Sequence, residues 1–331
     1  MQIINVILSG GVGSRLWPLS RKSKPKQYLP IFDGKTLFEK TVERNLSYCN
    51  NIIIVGNKEN YQLSQEKLEQ LGITRYKEII EACPRNTAAA IAFAAFSVSP
   101  EDILLVTPSD HLVENDQFYH ESILKGIDLA KNGYMVTFGL KPKGPETGFG
   151  YIEAKGEEVL SFREKPDLKT AEVFFNSGNF LWNSGMFCFK AGKYLEELEK
   201  LHPEVYNTSM LAFDSQSNGF LDLEDSLKIP SISIDYAVME KTKNIKVVNS
   251  EFQWSDMGSF ESLYDYLSLK GHPIDENGNM VIGTDIHAEF VGLKNTIFIY
   301  TPDALLILQK SMAQKVKDVY VRLEKTNPNL V

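Results

Sequence analysis

The 331-residue sequence holds three cysteines, five histidines and no long apolar run, and each shortage closes off a class of function. Cys49, Cys83 and Cys188 are too few and too widely spaced for a disulfide framework, and none has a Cys or His partner at metal-ligand spacing. A reducing, cytoplasmic setting follows. The longest greasy stretch, Thr87 to Phe96, is alanine-rich and well short of the roughly 20 residues that span a bilayer, and the N-terminus has no charged-then-apolar leader. No membrane contact is expected. Basic residues are outnumbered, 35 Lys and Arg against 43 Asp and Glu, and a net charge of -8 argues against a protein that coats nucleic acid. With 43% hydrophobic residues, the chain can still bury a large core.

Positive charge is concentrated at one place. The apolar run Ile3 to Leu8 reads as a buried strand, and Ser9, Gly10, Gly11, Val12, Gly13, Ser14 and Arg15 follow it directly. Arg21, Lys22, Lys24 and Lys26 come next, with no acidic residue before Asp33. Glycines let backbone N–H groups approach an anion closely, and cations in succession after them point to a phosphate site. This is no Walker loop, because Gly13 leads into Ser14 and Arg15 where Gly-Lys-Ser/Thr is needed. A dinucleotide fingerprint fails too: Leu16 stands where a small residue belongs, and the second strand, Ile52 to Val55, ends in Gly56-Asn57 without a ribose-binding acid. Pro18 prevents a regular helix from starting here, so the loop is expected to wrap around its ligand.

Gly10 to Arg21, with Pro25-Lys26-Gln27-Tyr28-Leu29, resembles the signature of mannose-1-phosphate guanylyltransferases (GDP-mannose pyrophosphorylases) of the sugar nucleotidyltransferase superfamily. The likeness continues in order through Pro84 to Ala92, Pro108 to His111, Thr147 to Ile152, Phe162 to Pro166, Trp182 to Phe187, Ser233 to Lys241 and Trp254 to Ser259. It implies transfer of GMP from GTP to mannose 1-phosphate, with GDP-mannose and pyrophosphate as products and Mg²⁺ as cofactor. Two other readings stay open: the same chemistry on another sugar 1-phosphate, and a catalytically silent homologue that binds GDP-mannose and regulates a partner.

Strand-like runs at Ile3–Leu8, Ile52–Val55, Ile103–Thr107 and Met135–Phe138 alternate with helical patterns. That spacing predicts an α/β fold of Rossmann-like type, a mainly parallel sheet with helices on both faces. Ligands of such sheets bind beyond the carboxyl ends of the strands. A turn-rich passage from Gly271 to Asn279 divides a catalytic domain, 1–270, from a small β-rich domain, 271–331, that ends in a helix. The resemblance implies that this tail is a short left-handed β-helix used for subunit contact in a homodimer.

Nucleotidyl transfer joins anionic groups, so a divalent cation and fixed cations are the expected tools. Asp110 ends a buried strand and is well placed as one Mg²⁺ ligand; the resemblance pairs it with Asp256. Magnesium takes one or two carboxylates along with phosphate oxygens and water, so two aspartates suffice. Resemblance assigns Arg15 and Lys26 to the triphosphate, and places the nucleotide on Ser9, Gly10, Gly11, Gly13 and Ser109. Guanine presents two N–H donors and an acceptor, which Glu81 or Asn86 could read, and Asn86 or Thr87 could cap the alanine-rich helix. For the sugar, the resemblance places Glu164 on hydroxyls and Lys165 on the phosphate; Gly150 would offer backbone contact and Asn183 an amide. Phe162, Trp182, Met186 and Phe187 read as core. Asp235, Tyr236 and Glu240 lie in a matching motif with no role beyond packing and surface charge.

Overall fold

A computed structural model describes residues 1–114 and 116–331. They form two compact units, each assembled from separated stretches of chain. The first comprises Met1–Gly10, Thr41–Ser109 and Val113–Trp254, and the second Gly11–Lys40, Asp110–Leu112 and Ser255–Val331.

Nine strands make the sheet of the first unit: β1 (Ile3–Ser9), β2 (Asn51–Asn57), β3 (Lys77–Glu81), β4 (Ile103–Pro108), β5 (Met135–Leu140), β6 (Tyr151–Lys155), β7 (Glu158–Arg163), β8 (Phe180–Lys190) and β9 (Ile245–Ser250). Their order is β3-β2-β1-β4-β8-β5-β9-β7-β6. The pairs β3–β2, β2–β1, β1–β4 and β5–β9 are parallel. The sheet is nevertheless mixed where a mainly parallel one is expected, because β8 runs antiparallel to β4, β5 and β6, and β7 antiparallel to β9 and β6. The central residues of β8 are buried on both faces, as in a parallel strand, so its burial pattern carries no sign of its direction.

Alternation sends Leu104 and Val106 of β4 into one apolar cluster and Ile103 and Leu105 into another. The first cluster takes in the helix Asn86–Phe96, whose residues Ala88 to Ala95 are all buried. A helix apolar all round belongs in a core, and alanine keeps it slim enough to pack closely. Helix Gln117–Lys131 contributes Tyr119, Ile123 and Ile127 to the second cluster, so both faces of the sheet are covered. Leu8 of β1 lies opposite Pro108 of β4, and the Ser109 N–H donates to the Leu8 carbonyl at 3.0 Å. The chain therefore leaves these two strands side by side at their carboxyl ends, through Gly10 and Ser109.

In the second unit, Leu16, Trp17, Phe32, Leu37, Phe260 and Ile297 share a core. In place of a short β-helix, β10 (Met280–Ile282), β11 (Thr296–Thr301) and β12 (Ala304–Gln309) form a three-stranded sheet, followed by the helix Val316–Thr326. β10 and β11 are parallel, but Pro302-Asp303 turns the chain back so that Thr301 pairs with Ala304, and this hairpin ends any coiling. Among the described residues no helix is long and apolar enough to cross a membrane.

Candidate active site

The glycine loop of the second unit is folded over one lysine. Gly13 has φ 76°, and a Cβ on it would overlap the Lys26 Cβ and lie 3.3 Å from Cγ. Only glycine serves there. The Lys26 N–H donates to the Val12 carbonyl at 3.0 Å and the Ser20 hydroxyl to the Gly13 carbonyl at 2.7 Å, which closes the loop. The Lys26 side chain is 5% exposed, its Nζ 2.8 Å from Asp110 Oδ2 and donating at 2.7 Å to the main-chain carbonyl of Asp256. Three of the four expected catalytic residues thus converge on one buried ammonium. The fourth, Arg15, donates to Gln314 Oε1 at 3.1 Å.

The other loop cations divide by role. Arg21 donates to the Pro18 carbonyl at 2.9 Å and to Asp303 Oδ1 at 2.8 Å, and also to the Leu330 carbonyl. Trp17 Nε1 donates to that same carbonyl at 2.6 Å, and Lys22 pairs with Glu324 at 2.6 Å. Arg21 is therefore committed to Asp303 and Leu330, and Lys22 to Glu324.

Burial alone would raise the Asp110 carboxyl, but the Lys26 ammonium and the His111 ring more than offset it and hold it below the usual range. It is an anion at neutral pH. Asp256 Oδ1 accepts from the Gly258 N–H at 3.1 Å, and a Cβ at Gly258 would overlap Asp256 Oδ2, so a glycine is needed to leave that carboxylate its place. Met257 between them has φ 45°, a conformation costly to a side chain-bearing residue. Two carboxylates and no third His, Cys, Asp or Glu in a ligating group among the described residues is a donor set suited to a cation that completes its shell with phosphate oxygens and water.

In the first unit, Ser9 and Ser109 are buried at the ends of adjacent strands. Glu81 ends β3, is 6% exposed, and its Oε1 has no hydrogen-bond partner among the described residues. Its other oxygen would lie 3.9 Å from a Cβ on Gly10. Burial pushes this carboxyl up to about 8, only partly opposed by the main chain of Arg85. An unfolded glutamate titrates near its ordinary 4.5, so between there and pH 8 the folded protein holds a proton that the unfolded chain has lost. Stability falls as pH rises through this window. Glu81→Gln removes that slope: its melting temperature should exceed that of the native protein by a margin that widens from pH 5 to pH 8.5. A constant margin would refute the assignment.

Asn86 is exposed, with φ 66°, and its Oδ1 accepts from the Thr87 N–H at 2.9 Å. The Thr87 hydroxyl accepts from the Ile234 N–H at 2.9 Å, so it ties the helix start to residues 232–234. The Glu164 side chain is 6% exposed and its Oε1 lies 2.6 Å from Lys165 Nζ. A Cβ on Gly150 would overlap Glu164 Oε2, which gives that glycine a steric reason. Lys165 has φ 46° and its ammonium, despite burial, is held above its usual range by Glu164. Asn183 is buried and bonded to Thr137, Gly185 and Asp235. The sequence gives Asp235 no role beyond packing and surface charge, whereas the structure sets its carboxylate on the Asn183 amide. Phe162, Trp182, Met186 and Phe187 are all buried, as core residues should be.

Residues 4–270 match the nucleotidyl transferase family. The chain is 39% identical to the alginate biosynthesis protein AlgA of Pseudomonas aeruginosa, over 97% of this chain and 72% of that protein. It is 36% identical to the mannose-1-phosphate guanylyltransferase RfbM of Salmonella typhimurium, over 99% and 74%. Among solved structures, a Thermus thermophilus protein described as a mannose-1-phosphate geranyltransferase superposes with a TM-score of 0.83 at 29% identity, covering 98% of this chain and all of that one. With a loop built around a buried lysine, a pair of aspartates beside it and relatives of this kind along nearly its whole length, the chain belongs to the nucleotidyl transferase family, in the group that includes mannose-1-phosphate guanylyltransferases.

Proposed function

We propose that the protein transfers GMP from GTP to mannose 1-phosphate, giving GDP-mannose and pyrophosphate. The observation that carries this reading is the buried Lys26 ammonium held between Asp110 and Asp256, which is suited to polyphosphate and poorly suited to a neutral ligand. Arg15 and Lys26 bind the triphosphate, the first as a planar fork and the second as a point charge. Asp110 and Asp256 would hold Mg²⁺, which when bound supplies positive charge at the phosphates. Glu81 reads guanine in preference to Asn86, because its Oε1 is buried without a partner while Asn86 Oδ1 is engaged by Thr87. Glu164 takes sugar hydroxyls and Lys165 the sugar phosphate.

No general base is required, since a phosphate monoester has its second pKa at about 6 and is largely dianionic at neutral pH. His111, with Nε2 3.7 Å from Asp110 Oδ1, serves the electrostatics of that carboxylate. We place the reaction in a reducing cytoplasm, which the free thiols of Cys49, Cys83 and Cys188 support, and take the homodimer from the resemblance.

A pyrophosphate-release screen across four nucleoside triphosphates and several sugar 1-phosphates tests the reading. Turnover only with GTP and mannose 1-phosphate supports it, turnover with another sugar shifts the substrate, and binding of GDP-mannose without turnover favours a regulatory homologue. Substitutions should also separate the two substrates. Arg15→Ala is expected to weaken GTP, and Glu164→Gln mannose 1-phosphate, each by about 10- to 150-fold, the loss of one charge-assisted hydrogen bond. Calorimetry with each substrate alone decides; an unchanged affinity overturns the corresponding assignment.

A further inference from the structure

Asp235 opens the short π-helix Asp235–Met239, and its Oδ1 accepts from Asn183 Nδ2 at 2.9 Å. The far side of that amide is also committed, since Asn183 Oδ1 accepts from the Thr137 hydroxyl at 3.0 Å and from the Gly185 N–H at 3.2 Å. Both acceptor positions are filled, so Asn183 has none left for a ligand. The acceptors at this spot are carboxylates. The ideal Cβ position of Gly150 falls on Glu164 Oε2 and 3.3 Å from Asn183 Cβ, which sets Glu164 next to the amide that Asp235 holds.

Two carboxyls therefore share one neighbourhood with the Lys165 ammonium, already on Glu164. Burial, and then the charge of Glu164, raise the proton affinity of Asp235, while Lys165 lowers it. The other titratable groups facing the pair are the phenols of Tyr194, whose hydroxyl donates to the Ala88 carbonyl, and Tyr236, with Glu240, whose Oε1 accepts the Glu164 N–H. None of these adds positive charge at neutral pH.

We propose that Asp235 and Glu164 form a carboxyl pair that takes up a proton from solvent when the sugar phosphate binds, with Glu164 touching the sugar and Asp235 acting as the positioning residue behind Asn183. The proposal rests on the assignment of Glu164 and Lys165 to the sugar phosphate. Free, the two carboxylates and one ammonium carry a net charge of about -1; the ligand adds close to two negative charges and draws Lys165 away from Glu164. The pair is then uncompensated, and a proton on one carboxylate oxygen restores the balance. That O–H becomes a donor to a sugar oxygen or to the second carboxylate.

The test is calorimetric titration with mannose 1-phosphate at pH 7.5 in buffers of different ionisation enthalpy, where the ligand is already dianionic. Native protein should take up about half to one proton per site, and its affinity should fall about three- to tenfold per pH unit between pH 7 and 8.5. Asp235→Asn, which keeps an acceptor for Asn183 and loses the charge, should bind without that uptake. Heats independent of buffer in the native protein, or uptake unchanged in Asp235→Asn, overturn the proposal. Should that variant not fold, the pH slope of the native protein decides alone. Absence of any binding rejects the sugar-phosphate assignment and the proposal with it; binding without uptake rejects the proposal only.

Discussion

Asp110→Asn should lower kcat by at least about 100-fold, the scale of removing one preorganised electrostatic group, and Asp256→Asn should do the same. Asparagine keeps the shape of each side chain and removes the charge that would hold a divalent cation. The two variants differ in stability. Asp110 is also the carboxylate partner of Lys26, whose side chain is 5% exposed, so its loss strands a buried ammonium. Removing one partner of a fully buried pair costs about 3–5 kcal/mol, and less is expected here because a third of the Asp110 side chain is open to water. Thermal melts of both variants separate lost folding from lost chemistry. Activity of the native protein should vanish on chelation and return with Mg²⁺. Near-normal turnover in either folded variant removes that residue from the metal site.

Lys26→Met should reduce kcat/KM by about 100- to 1,000-fold, since methionine fills the volume of the stem beneath Gly13 and withdraws the charge at its tip. The informative measurement is the double variant. Lys26 bridges the side chain of one aspartate and the main chain of the other, so the three behave as one device. Groups that act together give losses that do not multiply. The variant carrying both Lys26→Met and Asp110→Asn is expected to lie within about tenfold of the worse single change. Full multiplication of the two losses would show that the residues act independently.

How far the sequence can be read depends on how local each signal is. The turn at Gly13 and the absence of an α-helix before Leu37 follow from neighbouring glycines and Pro18, and strands such as Ile103–Pro108 announce themselves by continuous apolar residues. Lys77–Glu81 and Ile245–Ser250 are short and carry charges, so they are quiet in the pattern, and the direction of Phe180–Lys190 has no local signature at all. Within the site, Lys26 and Lys22 look alike in sequence. They part because Asp110 meets one and Glu324 the other, and both partners lie far along the chain. Asp235 is hidden for the same reason, its meaning resting on Asn183. The positive φ of Met257 and Lys165 has no signature in the sequence, because nothing in a methionine or a lysine asks for it.

The bond from Trp17 to the Leu330 carbonyl spans 313 residues and sets a timetable. At about 5–20 residues per second, the partner of Trp17 leaves the ribosome tens of seconds after Trp17 itself. Arg21 and Lys22 wait as long for Leu330 and Glu324. Through that interval the first unit can already be pairing its strands, while the glycine loop, synthesised among the earliest residues, has no wall to fold against. Catalytic competence should thus appear late and abruptly in a synchronised translation, once Glu324 and Leu330 have emerged, and not in proportion to the length already made.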